Sequence, residues 1–264
     1  MRLVSWNIES ATRCVAALPT IVADLGTPDV LCLQELRIRL QDSDAIRALQ
    51  HALPGYRCHY ALANDPRNVT FRGGRMYGVA TFVRGRWRAD VTAWDLEGRV
   101  VAIRKRGLAV VNVYAVNGTA KPYYDETGAI AGDRHDLKRR FQSHVMDLGR
   151  ALRRHGGVIM AGDWNVSRTA EDTHPSLRTE APHAQARAEL NARIVADGFV
   201  DIWRAMHETE RRYTWFKRGS RTLDAARVDY ILVSDDLAPA VHSAEILELL
   251  PHSDHAPIAV ELAM

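Results

Sequence analysis

The chain has 264 residues, 47% of them hydrophobic, and a formal net charge of +3, an ordinary balance for a globular protein. No apolar run reaches the ~20 residues that a membrane helix requires, which excludes a helical membrane span. The opening Met1-Arg2-Leu3-Val4-Ser5-Trp6 has strand character, not a signal-peptide layout, and the three cysteines Cys14, Cys32 and Cys58 sit in or beside apolar stretches without metal-ligand spacing. They read as buried thiols, and a cytoplasmic protein with no membrane partner is the expectation.

Short apolar, β-branched runs alternate with helical patterns along the chain. In order, strands are predicted at 3–8, 29–34, 56–61, 77–83, 100–104, 108–115, 157–162, 228–233, 240–247 and 256–262, with helices at 15–24, 43–53, 134–154 and 184–197. The third helix is the best marked, because Leu137, Phe141, Val145, Leu148 and Leu152 recur at spacings of three and four. No Ser-, Gly- or Pro-rich linker separates these elements, and the longest irregular stretches are 117–133 and 167–183. One domain spanning 1–264 is the expectation, with two packed sheets and helices outside; no assembly helix is evident, which predicts a monomer.

Several apolar strands end in a carboxylate, an amide or a histidine. Val4 leads to Asn7, Val30 to Gln34 and Glu35, Val110 to Tyr114 and Asn117, Val158 to Asp163 and Asn165, Arg227 to Asp229, and the last such segment is His252-Ser253-Asp254-His255. Singly, Glu35 reads as a helix cap, Asp163 and Asn165 as turn formers, Asp229 as a surface charge and His255 as a satisfied core histidine. Jointly they point to one acidic cleft, because buried acids must be paired or must bind a cation. Phosphodiester hydrolysis needs such a set: a hard cation, an activated water and donors for the charge on phosphorus. Glu35 with help from Asp254 suits Mg2+, with Mn2+ as a substitute, and Asn7 is a third candidate. Asp163 can accept the proton of the attacking water. Asn7, Asn165 and Tyr114 can donate to phosphate oxygens or to other site residues, and Asp229 can orient and charge His255.

The order and surroundings of these residues resemble the endonuclease/exonuclease/phosphatase superfamily, and within it the exonuclease III and abasic-site endonuclease branch. The resemblance rests on Asn7, Gln34-Glu35, Gly78-Val79-Ala80, Tyr114 with Asn117-Gly118, Gly162-Asp163-Trp164-Asn165, Arg227-Val228-Asp229-Tyr230 and Ser253 to Pro257, and it covers nearly the whole chain. It implies a four-layered α/β sandwich of two packed mixed β-sheets flanked by helices. It also implies Glu35 as metal ligand, Asp163 as water activator and His255 paired with Asp229 at the phosphate.

For the substrate, Tyr213-Thr214-Trp215-Phe216 is similar to the aromatic motif of that branch's sugar pocket, and the segment Arg72 to Tyr77, with Arg75, is similar to a loop that approaches duplex DNA. The alternative is that Trp215 and Phe216 pack under the sheet. Asn117, Trp215, Arg75 and Val228 are the candidate substrate contacts, and DNA with an abasic site, a nick or a 3' end is the expected partner. The chain departs from the branch at Glu9 to Arg13, at Val116, at Ala226 and in the longer stretch 121–135. Ala226 in place of an aromatic widens the pocket and weakens strict abasic-site selectivity. The competing readings are a phosphatase or phosphodiesterase of lipid, RNA or small phosphate esters, and a non-catalytic nucleic-acid-binding member. None of the residues the latter would have lost is missing.

Overall fold

The computed structural model describes residues 1–65, 67–68, 77–90, 92–219 and 223–263. Two six-stranded sheets form its centre. The first runs β16 (Val241–Ile246), β17 (Ile258–Leu262), β1 (Arg2–Asn7), β2 (Val30–Gln34), β4 (Gly78–Val83) and β3 (Arg57–Leu62). The second runs β12 (Phe199–Asp201), β15 (Asp229–Ser234), β10 (Gly156–Asp163), β7 (Gly107–Tyr114), β6 (Val100–Lys105) and β5 (Arg88–Asp90). Each sheet holds one parallel pair, β1 with β2 and β7 with β10, among antiparallel neighbours.

The period of two along each strand sorts its side chains into layers. Leu3, Val30, Cys32 and Val79 face Ile103, Val110, Ile159 and Ile231 between the sheets. Their neighbours Val4, Trp6, Leu31 and Phe82 face outward onto α1 (Ala11–Cys14), α2 (Leu18–Asp24) and α3 (Ser43–Gln50). On the far side Val111, Val113, Val158 and Met160 pack under α4 (Arg134–Leu152) and α5 (Ala181–Ala196). Both faces of the central strands are therefore covered, which is why they read as continuous apolar runs. The result is the four-layered sandwich expected from the sequence.

A buried polar bridge crosses between the sheets just below their edge. Gln34 Nε2 donates to Asn112 Oδ1 at 2.8 Å and to Ser5 Oγ at 2.9 Å, and Asn112 Nδ2 donates to the Ala80 carbonyl at 2.9 Å. Hydrogen bonds of this kind restrict how one sheet can slide on the other.

The structure corrects the sequence reading in its details. Of the predicted helix 15–24, residues 15–17 form a 3-10 turn and only Leu18–Asp24 form α2, with α1 lying before them at Ala11–Cys14; Pro19, which has no N–H to donate, sits in the first turn of α2. The buried face of α4 centres on Lys138, Gln142, Val145 and Gly149, leaving Leu137 and Leu148 half-buried at its margin. The stretch 117–133 contains a hairpin of β8 (Pro122–Tyr124) and β9 (Ile130–Asp133), and a short helix α6 (Ile202–Met206) follows β12. A three-stranded sheet of β11 (Thr173–His174), β14 (Ala225–Ala226) and β13 (Trp215–Phe216) stands over the sheet edge. Cys14 and Cys32 are buried as expected, whereas Cys58 on the edge strand β3 is half-buried.

Candidate active site

The register of the sheets assembles the site. Tyr114 on β7, Asp163 on β10 and Asp229 on β15 are direct cross-strand partners, so three strand ends present their last polar residues side by side. In the facing sheet Asn7 pairs with Gln34, and Glu35 follows. Gly162 makes the approach possible: its φ is +151°, and a Cβ there would lie 1.8 Å from the Val113 carbonyl oxygen.

Asn7 joins the two sheets, its Nδ2 donating to Asp163 Oδ2 at 3.0 Å and to Glu35 Oε2 at 3.2 Å. Its Oδ1 accepts the Glu9 N–H at 2.9 Å, so as placed Asn7 is a bridge between two acids, and a ligand role would require the amide to turn over. Glu35 adopts φ +61° and also receives the Arg37 guanidinium on Oε1. Asn165, at φ +53°, spends its Nδ2 on the Ala115 carbonyl at 2.8 Å and on Asp163 Oδ2 at 3.2 Å. Both amides thus position Asp163, which accepts the Asn165 backbone N–H as well. Burial, with repulsion from Asp229 added, pushes the Asp163 carboxyl up to about 7.

His255 Nδ1 lies 2.8 Å from Asp229 Oδ2, leaving Nε2 as the ring nitrogen for a substrate. Burial alone would lower the imidazole's pKa, but the Asp229 carboxylate outweighs it and raises the ring to about 10, so His255 is a cation at neutral pH. Asp163, Asp229 and His255 bring ligand atoms within 4.8 Å of one another. Thr214 Oγ1 accepts the Val228 and Asp229 backbone N–H groups, which fixes the strand that carries the dyad. Burial, then Glu35, raises the Tyr114 hydroxyl well above its ordinary value, so it remains a donor.

These groups open onto a cavity of about 440 Å³. Glu35, Asp254, Tyr114, Asp163, Asn165 and His255 line it, as do Asn117, Trp215 and Val228, while Asn7 and Asp229 stand behind as supports. Trp215 lines the cavity and donates its indole N–H to Asp254 Oδ2 at 3.2 Å, whereas Phe216 packs against the core between the sheets, as the packing alternative expected for it. Ala226 forms part of the wall in the small sheet, cross-strand from Trp215. Arg75 lies outside the described residues. Sequence reasoning missed Glu9, which also lines the cavity and is ion-paired with Arg13 and Arg218. It also missed a basic wall of Lys138, Arg178 and Arg187. Glu9 left a signal, since it lies two residues beyond Asn7 in the segment that departs from the family pattern.

A sequence profile described as the Endonuclease/Exonuclease/phosphatase family matches residues 4–255. The chain belongs to this family. It is 25% identical over 291 residues to an exodeoxyribonuclease of Streptococcus pneumoniae, with 99% of each chain covered. Its fold is similar to that of a 3'-5' exonuclease from Neisseria meningitidis, at 26% identity, full coverage of both chains and a TM-score of 0.76. A 3' phosphatase from Neisseria, solved with a product DNA hairpin, matches with a TM-score of 0.77 and 26% identity. No helix among the described residues is long and apolar enough to cross a membrane.

Proposed function

We propose that this family member is a divalent-cation-dependent DNA phosphodiesterase of the exonuclease III type, acting at 3' ends and abasic sites, as a single domain and without an obligate protein partner. The observation that carries the reading is the bridge from Glu35 through Asn7 to Asp163, set beside the Asp229–His255 dyad on one cavity.

The donor set suits a hard cation. Glu35, Glu9 and Asp254 offer only oxygens and all line the cavity, whereas in the buried trio His255 Nδ1 is already committed to Asp229. We assign Glu35, with Asp254 and Glu9, as the residues that would hold Mg2+ or Mn2+, which supplies charge neutralisation at the scissile phosphate when bound. The rest is the chain's own work. Asp163, oriented by Asn7 and Asn165, takes the proton of the attacking water. His255 donates from Nε2 to a phosphate oxygen, with its charge maintained by Asp229, and the Tyr114 hydroxyl adds a second donor. Trp215, Val228 and Ala226 give the wall a surface for a sugar or an unstacked base, and Asn117 lines the same cavity; Arg75, outside the described residues, is proposed as a substrate contact from the sequence resemblance alone.

Ala226 supports a preference for 3'-end processing over strict abasic-site incision, because a methyl group leaves the wall open where a large side chain would enclose the sugar. A labelled duplex carrying one abasic analogue and one recessed 3' end, incubated with Mg2+ or chelator, tests both parts. Cation-dependent digestion from the 3' end with weaker incision is the expected result. Cleavage of lipid or small phosphate esters with both DNA sites left intact would refute the proposal.

A further inference from the structure

We propose that Lys138, Arg178 and Arg187 form a second phosphate site, which takes a backbone phosphate adjacent to the one being cut; this rests on the phosphodiesterase reading above. Among the residues lining the cavity, Glu9 and Glu35 follow β1 and β2 and Asp254 precedes β17, all strands of the first sheet, while Lys138 and Arg187 bond to carbonyls of the segment just beyond Asp163. Lys138 Nζ donates to the Asn165 carbonyl at 2.6 Å. Farther along, Arg187 donates from Nε to the Ser167 carbonyl and from Nη2 to the Arg178 carbonyl, each at 2.8 Å.

None of the three is paired with a carboxylate among the described residues, whereas the buried Arg99, Arg134 and Arg227 all are. Lys138 is 2% exposed, and a buried ammonium with one carbonyl partner has two donors left for an anion. The surrounding field agrees. Burial and then Lys138 and Arg178 lower the pKa of His183, on the same wall, and burial brings Lys138 itself down to about 8. The shared chemistry of the ligand is an anionic oxygen cluster. A nucleic-acid strand supplies one at a fixed spacing from the scissile phosphate, about 3.4 Å apart along the helix axis. A cavity of about 440 Å³ has room for more than a single phosphate.

The test is a cycle between protein and substrate. An oligonucleotide is compared with the same strand carrying a neutral methylphosphonate at the linkage on either side of the scissile one, for the wild type, Arg178→Gln and Lys138→Met. Arg178 is exposed, so its replacement leaves the core intact, which guards against misfolding of the lysine variant. The neutral linkage is expected to raise the wild-type KM about tenfold at one of the two positions, and to cost the Arg178→Gln enzyme much less at that position. The salt dependence of log KM should become shallower by about one unit in both variants. Fully additive losses at both positions, or an unchanged salt slope, would overturn the second site. An equal loss on bis(p-nitrophenyl) phosphate, which has one phosphate, would also overturn it and move Lys138 to the scissile group. Failure of the wild type to cut the unmodified strand with Mg2+ would instead remove the phosphodiesterase reading beneath it.

Discussion

At the scale of single residues, the surroundings separate the proposed base, Asp163, from the proposed acid, His255. Burial, then repulsion from Asp229, pushes the Asp163 carboxyl up to about 7, while for His255 the Asp229 carboxylate overcomes burial and pushes the ring up to about 10. A base that must be ionised and an acid that must be protonated give a bell-shaped kcat/KM between those values, with a bound cation drawing the lower limb down. The sign for His255 follows from its cause: its charged form persists across neutral pH and is lost as pH rises through about 10. Asp229→Asn removes the charge that overcomes burial, so the alkaline limb should move down by at least about one pH unit. An unmoved limb would show that His255 is not the acid. Glu35→Gln should chiefly raise the Mg2+ concentration needed for half-maximal activity, read from a metal titration. A lower kcat at saturating Mg2+ with the same titration midpoint would contradict the assignment of Glu35 to the cation.

At the scale of elements, the site depends on how strand ends are held. Arg227, 1% exposed, is pinned between Asp172 and Asp201 by four hydrogen bonds of 2.7 to 3.1 Å, and Arg204 and Arg168 add to the cluster. This cluster ties the 167–174 segment and α6 to the strand that leads into Asp229. Arg227→Met leaves two buried carboxylates short of a partner and should lower stability by about 3 to 5 kcal/mol in urea unfolding. A loss under about 1 kcal/mol would mean that the cluster is solvated in the folded protein. Gly162→Ala acts through backbone geometry, forcing a methyl group into the Val113 carbonyl. It should cost both stability and turnover, because Asp163 is the next residue. Wild-type melting and activity in Gly162→Ala would contradict the close approach of β7 and β10.

At the scale of the whole molecule, the sandwich was legible wherever strands are covered on both faces. A run such as Val158 to Ala161 has no other place than the middle of a sheet, and its abrupt end in Asp163-Trp164-Asn165 marks the sheet edge. The polar strand ends that line or support the cavity were readable for the same reason. The small sheet was not, because its two-residue strands exist only through pairings such as Trp215 with Ala226 and Thr173 with Ala226, which no local pattern announces. Nor was the basic wall. In Lys138-Arg139-Arg140 the sequence offers three similar cations, and only the rotation of α4 on its sheet decides that the first is buried at the cavity while the last is exposed. The small sheet and α4 both bear on the cavity, so the substrate surface is a property of the assembled layers more than of any segment.

The most direct test of the central claim, that these strand ends form one cation-dependent centre cutting DNA phosphodiesters with Asp163 as the base, is single-turnover digestion of a recessed 3' end in saturating Mg2+ by the wild type and Asp163→Asn, with DNA affinity measured alongside. The expected result is Mg2+-dependent cleavage by the wild type and a rate about 10² to 10⁴-fold lower in the variant, with affinity retained. Cleavage by Asp163→Asn at close to the wild-type rate would contradict it.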